Sequence, residues 1–149
     1  MIDWDLSRFG IYKIHEFIFL GQYPREESLL KLLDLGVKNI LNVSGGNYND
    51  KRFTVFNVPV EDLKEMPRDT ALLVSRTIKD SVTNEKKIFV HCMAGQNRSP
   101  GSIYLGLLAL GYKGTVAEKM IEDNSLDAVA KHHKIITDRV VSYINDSKT

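Results

Sequence analysis

The chain has 149 residues, 43% of them apolar and 26% charged, and 20 Lys and Arg against 19 Asp and Glu give a formal net charge of +1. These values exclude a disordered or fibrous chain and fit one compact domain, residues 1–149. A single cysteine excludes an internal disulfide, and the near-neutral balance leaves no basic footprint for nucleic-acid or membrane-surface binding.

Met1–Arg8 has no basic stretch leading into an apolar one, so it does not read as a signal peptide, and a cytoplasmic location is expected. The apolar runs Ile11–Ile14 and Phe17–Leu20 suit a pair of strands. Leu29, Leu32 and Leu33 recur at helical spacing within Arg25–Leu35, and Gly36 supplies the stop. Val37–Val43 reads as a buried strand, Ser44–Asn47 as a loop, and Phe53–Val58 as a strand ended by Pro59. Asp69–Asn84 is helix-compatible, with Pro67 and Asp69 positioned to start it and Asp69 as the expected N-cap. Lys87–His91 is a short strand, Cys92–Arg98 a loop, and Ser99–Leu110 a helix closed by Gly111. That helix, over Ile103–Gly111, falls far short of the roughly 20 apolar residues that cross a bilayer. Thr115–Glu118 has the pattern of a capping box opening a helix to about Asp123, and Asp127–Asn145 reads as a long amphipathic helix. Strands interleaved with helices predict an α/β fold with a central, mostly parallel sheet of four to five strands flanked by helices. In such a sheet the site lies at the carboxyl end of a central strand.

Ile88–Pro100 puts a cysteine at the end of a strand and an arginine six positions later, just before a helix. Met93, Ala94, Gly95, Gln96, Asn97 and Arg98 then form a loop whose N–H groups, with the helix N-terminus, cradle a phosphate. Gly95 lets the loop curl, and Arg98 supplies a planar fork for two oxygens at once. The donors that favour phosphate also favour a thiolate, which makes Cys92 a nucleophile able to form a cysteinyl-phosphate. Ser99 is placed to donate to the sulfur when that intermediate breaks down.

His91, Cys92, Gly95, Arg98 and Ser99 match the signature of the cysteine-based protein phosphatases, His-Cys, five residues, then Arg-Ser/Thr, and the chain resembles a small dual-specificity phosphatase. The resemblance extends over about 130 residues, from the Phe17–Gly21 strand to the final helix, in the order of elements. It implies hydrolysis of phosphotyrosine, and of phosphoserine or phosphothreonine, without cofactor or metal. It also implies a general acid on a loop before the long helix. Asp62, 30 residues before Cys92 (92 − 62), fits that place, with Glu61 as the neighbouring alternative. His91 is expected to bond nearby backbone and fix the surroundings of the cysteine. Asn42 either braces the phosphate loop or forms a turn, and Gln96 and Asn97 either orient the hydrolytic water or pack the loop. His132 and His133, adjacent on the expected last helix, cannot face one metal together, and no other cluster has ligand spacing.

Apart from Arg98 the loop carries no basic side chain, which disfavours polyphosphorylated inositides. The acidic stretch Ile121–Ser125 stands where many relatives carry a basic residue that engages phosphoprotein, and it would repel an acidic phosphopeptide. Lys51, Arg52, Lys64 and Arg68 are expected to flank the mouth, either contacting a second anionic group or simply solvated. The expected partner is a phosphorylated protein or another phosphomonoester. Rival readings are an enzyme acting on RNA 5′-phosphates, phosphoinositides or phosphoglucan, and a phosphate-binding scaffold without turnover.

Overall fold

Residues 1–147 are described by a computed structural model. After a short helix α1 (Trp4–Ser7) come β1 (Ile11–His15), β2 (Ile18–Gly21), α2 (Glu26–Asp34), β3 (Val37–Asn42) and β4 (Thr54–Asn57). The chain continues through α3 (Arg68–Thr83), β5 (Lys87–His91), α4 (Arg98–Ala109), α5 (Gly114–Glu122) and α6 (Asp138–Asp146). The five strands form one sheet in the order β1-β2-β5-β3-β4. Only the β1–β2 pair is antiparallel; β2, β5, β3 and β4 run parallel, so their carboxyl ends line one edge.

The period-2 alternation of side chains sends neighbouring residues of each central strand into two different cores. Leu20, Leu41, Ile88 and Val90 join the larger core with Val74, Ile78, Ile103, Leu107, Ile136 and Val140 from the helical side. Phe19, Ile40 and Phe89 face the other way, onto Leu32, Val37 and Phe53. Burial on both faces explains why β2 and β5 carry consecutive apolar residues, Ile18–Leu20 and Ile88–Val90, and why Ile40 and Leu41 are adjacent in β3. Helices α3 and α4 meet so closely that a Cβ on Gly106 would lie 2.6 Å from Ile78 Cγ2. That approach seats α4, which follows the loop after β5, directly against α3.

Four local expectations need correction. The last helix is confined to Asp138–Asp146 and is capped by Thr137, whose Oγ1 accepts from Val140 N–H at 3.3 Å. Residues 127–137 are irregular because their backbone groups bond elsewhere. Val129 N–H goes to Gln96, Ala130 N–H to the Glu122 carboxylate, and the Ile135 carbonyl accepts from Met66. Asp127, at φ +60, also breaks the helical path. His132 and His133 therefore do not share a helix, and their rings stack with centroids 4.8 Å apart. The Thr115 capping box does not form: Lys113 is the N-cap of α5, without a side-chain bond, and Thr115 sits in the first turn. Likewise Pro67, not Asp69, caps α3, since Ala71 N–H bonds the Pro67 carbonyl and Asp69 is already inside the first turn. Helix α1, capped by Asp3, was not anticipated from the sequence.

Candidate active site

The last residues of the four parallel strands, Gly21, His91, Asn42 and Asn57, stand opposite one another in register. Three of the four are polar, and they form a row from which the loops of the site rise. Cys92 follows directly on β5 and is buried. Its sulfur accepts from Gly95 N–H at 3.3 Å and lies 3.2 Å from Ser99 Oγ, at the start of α4. Gly95 has φ +73, a region in which glycine alone is unstrained, and a Cβ there would come within 3.0 Å of the Gly21 carbonyl. The loop thus curls tightly against β2, as its glycine led one to expect.

Outward bonds fix the loop's carbonyls. Cys92 O accepts from His91 Nδ1 at 3.0 Å, Met93 O from Tyr23 N–H at 3.0 Å, and Gln96 O from Val129 N–H at 2.8 Å. Because C=O and the following N–H point in opposite directions across a trans peptide, these bonds turn Met93, Ala94 and Asn97 N–H to the other side of the loop.

His91 is fully buried, and desolvation lowers its pKa from the ordinary 6.5 to about 4. The ring is therefore neutral near pH 7. With Nδ1–H donating to a carbonyl, Nε2 must accept, and Tyr48 Oη donates to it at 2.9 Å. Burial pushes the Tyr48 hydroxyl up, which keeps it protonated as that donor. His91 bonds backbone, as expected, and also ties the β5 end to the loop after β3.

Asn42, fully buried, braces that same loop rather than the phosphate loop directly. Its Nδ2 donates to Gly46 O at 2.8 Å and to Asn57 Oδ1 at 2.9 Å, while its Oδ1 accepts from Ser44 N–H at 3.0 Å and from Ser44 Oγ at 2.6 Å. The Ser44 carbonyl, so positioned, accepts from Arg98 Nη1 at 2.8 Å, and the same nitrogen lies 3.3 Å from Val60 O. Both anchors use Nη1, which leaves the Nε and Nη2 edge of the guanidinium facing away from them.

A cavity of about 90 Å³ is lined by Asp62, Cys92, Met93, Ala94, Gln96, Asn97 and Arg98. That is roughly three times the ~30 Å³ share of a water molecule, room for one tetrahedral oxyanion. Asp62 is followed by Leu63 in the left-handed region, φ +60, and its Oδ1 accepts from Leu63 N–H at 3.1 Å. Glu61 does not line the cavity; it pairs with Lys64 at 3.0 Å.

None of the four basic residues expected at the mouth lines this cavity. Lys51 and Arg52 lie at the opposite edge of the sheet, in a cavity with Phe17, Gly36 and Lys87 from the strands' amino ends. The β3–β4 loop reaches back across that face, and Arg52 is bound there by Glu26 and Asp50. Lys64 pairs with Glu61 and Arg68 with Asp69. Ser44, Tyr48, Asn57 and Tyr23 are supporting residues that the sequence reading missed. The polar residue ending β4 was the one available signal. Among the described residues no three His, Cys, Asp or Glu side chains converge as a metal site.

The family profile "Dual specificity phosphatase, catalytic domain" matches residues 18–107. No curated protein matches the sequence. The solved structure of PTPMT1 in complex with PI(5)P aligns over 94% of this chain and 99% of that one, with a TM-score of 0.79 and 13% identity. Human DUSP28 aligns over 92% and 94%, at TM-score 0.72 and 19% identity. Tk-PTP in its active form aligns over 93% and 95%, at TM-score 0.70 and 17% identity. At such identities the likeness establishes the α/β fold and its sheet.

Proposed function

The chain belongs to the dual-specificity phosphatase catalytic-domain family, and on that premise we propose that it hydrolyses phosphotyrosine, with phosphoserine and phosphothreonine as poorer substrates. The observation that carries this reading is the convergence of Cys92, Arg98 and Asp62 on one oxyanion-sized cavity. The Cys92 thiolate attacks phosphorus, forming an Sγ–P bond as the P–O ester bond breaks. Asp62, as the carboxylic acid, gives its proton to the leaving oxygen. The loop N–H groups and the Nε/Nη2 edge of Arg98 hold the equatorial oxygens, whose charge is most exposed in the transition state. The Asp62 carboxylate then takes a proton from water as the water oxygen attacks phosphorus. The Sγ–P bond breaks, phosphate leaves, and Ser99 Oγ–H donates to the returning thiolate across the 3.2 Å gap.

The surroundings of the cavity support an aryl ester. Exposed apolar side chains adjoin its lining: Met93 itself (58% exposed), Tyr23 bonded to Met93, Leu63 beside Asp62 (49%) and Val129 bonded to Gln96. Among the described residues Arg98 is the one Lys or Arg lining the cavity, which supports a monophosphate over polyphosphorylated inositides.

The test is a substrate panel run with chelator from pH 4.5 to 8.5. Phosphotyrosyl peptide should be hydrolysed at least tenfold faster than phosphoseryl peptide, inositol phosphates or RNA 5′-phosphate. Cys92→Ser should abolish all turnover. Preference for a non-protein phosphate would overturn the substrate assignment. Bound phosphate without turnover would leave the scaffold reading.

A further inference from the structure

Three carbonyl pins shape the phosphate loop, and they differ in what supports them. The Cys92 pin comes from His91 inside β5 and the Met93 pin from Tyr23 just beyond β2. The third, Val129 N–H on Gln96 O at 2.8 Å, comes from an irregular segment with no ladder to hold it. That segment contains Asp127 in the left-handed region, where a non-glycine residue stays only if other bonds keep it there. The residue beside Val129, Ala130, is buried, and its N–H donates at 3.0 Å to Oε2 of Glu122, the last residue of α5.

We propose that Glu122 is a positioning residue for the phosphate loop, fixing the 123–130 turn through Ala130 so that Val129 holds the Gln96 carbonyl outward and Asn97 N–H toward the bound oxyanion. This rests on the phosphatase reading of the cavity. It also revises the role of the acidic stretch: one Glu122 oxygen is bound to Ala130 N–H and holds up the site instead of merely repelling substrate. A carboxylate is suited to the task because it accepts a strong hydrogen bond from an amide that water would otherwise have to satisfy. Glutamine keeps an acceptor of nearly the same reach, whereas alanine has none.

The test measures orthovanadate inhibition and kcat/KM for an aryl phosphate, at a temperature well below each variant's Tm. Glu122→Ala should weaken vanadate and lower kcat/KM by about tenfold each, the lower end of what one hydrogen bond to a charged group contributes. Glu122→Gln should stay within about twofold of wild type. Asp123→Asn, which removes a charge one position away, should change neither quantity. Val129→Pro deletes the pinning N–H directly and should reproduce the loss, so it carries the test if Glu122→Ala does not fold. Wild-type vanadate affinity in Glu122→Ala or in Val129→Pro would overturn the proposal, and so would equal damage in Glu122→Gln and Glu122→Ala. Wild-type protein that binds no vanadate would instead overturn the phosphatase reading on which the proposal rests.

Discussion

At the amino ends of the parallel strands lies a cavity of about 530 Å³ lined by Lys38, Lys51, Arg52, Lys86 and Lys87, whereas the cavity at their carboxyl ends is about 90 Å³ and reaches Cys92. Size and positive charge favour the first, yet its cations do not converge. Arg52 is taken by Glu26 and Asp50, Lys87 Nζ donates to the Leu35 carbonyl at 2.7 Å, and Lys38, Lys51 and Lys86 stand exposed in water. At the other end each donor is held by a partner behind it. Arg98 is held by Ser44 and Val60, Ser44 by Asn42, and the loop carbonyls by His91, Tyr23 and Val129. Fixed donors stabilise charge that develops during reaction without reorganising, which free lysines cannot do.

Arg98 is where that contrast should break most visibly. Arg98→Lys keeps the charge but loses the fork and the simultaneous hold on Ser44, and kcat/KM for an aryl phosphate should fall by about 10²–10³. A loss under fivefold would mean that charge alone suffices, as it would at the lysine-lined end.

Asp62→Asn comes next. It should lower kcat by about 10² for a phosphotyrosyl substrate and flatten the alkaline limb of the bell-shaped kcat/KM profile, since the variant has no proton to lose. An unchanged limb would move the acid elsewhere.

The buried His91 gives a smaller effect, read in stability rather than rate. Its pKa is about 4 when folded and about 6.5 when unfolded, so between these values the unfolded chain binds the extra proton. Stability is therefore complete above pH 6.5 and is lost as pH falls toward 4, by about 3 kcal/mol. His15, whose pKa burial also lowers, acts in the same direction. Urea titrations of wild type and His91→Asn at pH 7 and 4.5 separate the two, because the variant should lose clearly less stability between those pH values. Parallel curves would place the proton on another group.

The smallest effect belongs to the larger cavity. Lys38→Ala combined with Lys51→Ala should leave kcat/KM within about twofold, as surface substitutions usually do. A tenfold drop would show that the far end contributes to the site.

Legibility in the sequence followed the range of the forces involved. The Lys87–His91 strand was read with the bounds the structure shows, because a short apolar run between polar flanks encodes itself locally. The spacing of Cys92, Gly95, Arg98 and Ser99 was legible for the same reason: one strand, one tight loop and one helix start determine their geometry. The supposed helix over residues 127–137 was not, since its apolar periodicity competes with long-range bonds to Gln96, Glu122 and Met66 that no local pattern announces. Lys51 and Arg52 were misplaced because composition does not reveal which edge of the sheet a loop returns to. The difference between Glu61 and Asp62 needed coordinates as well, since no local pattern shows that Asp62 lines the cavity while its neighbour turns to pair with Lys64.

The central claim is that Cys92 carries the phosphoryl group. Rapid acid quench of wild-type protein during turnover of a phosphotyrosyl substrate, followed by peptide mass spectrometry, tests it directly. One phosphoryl group should be found on the peptide bearing Cys92 and none in Cys92→Ser. Turnover with no phosphorylated cysteine, or turnover surviving in Cys92→Ser, would contradict it.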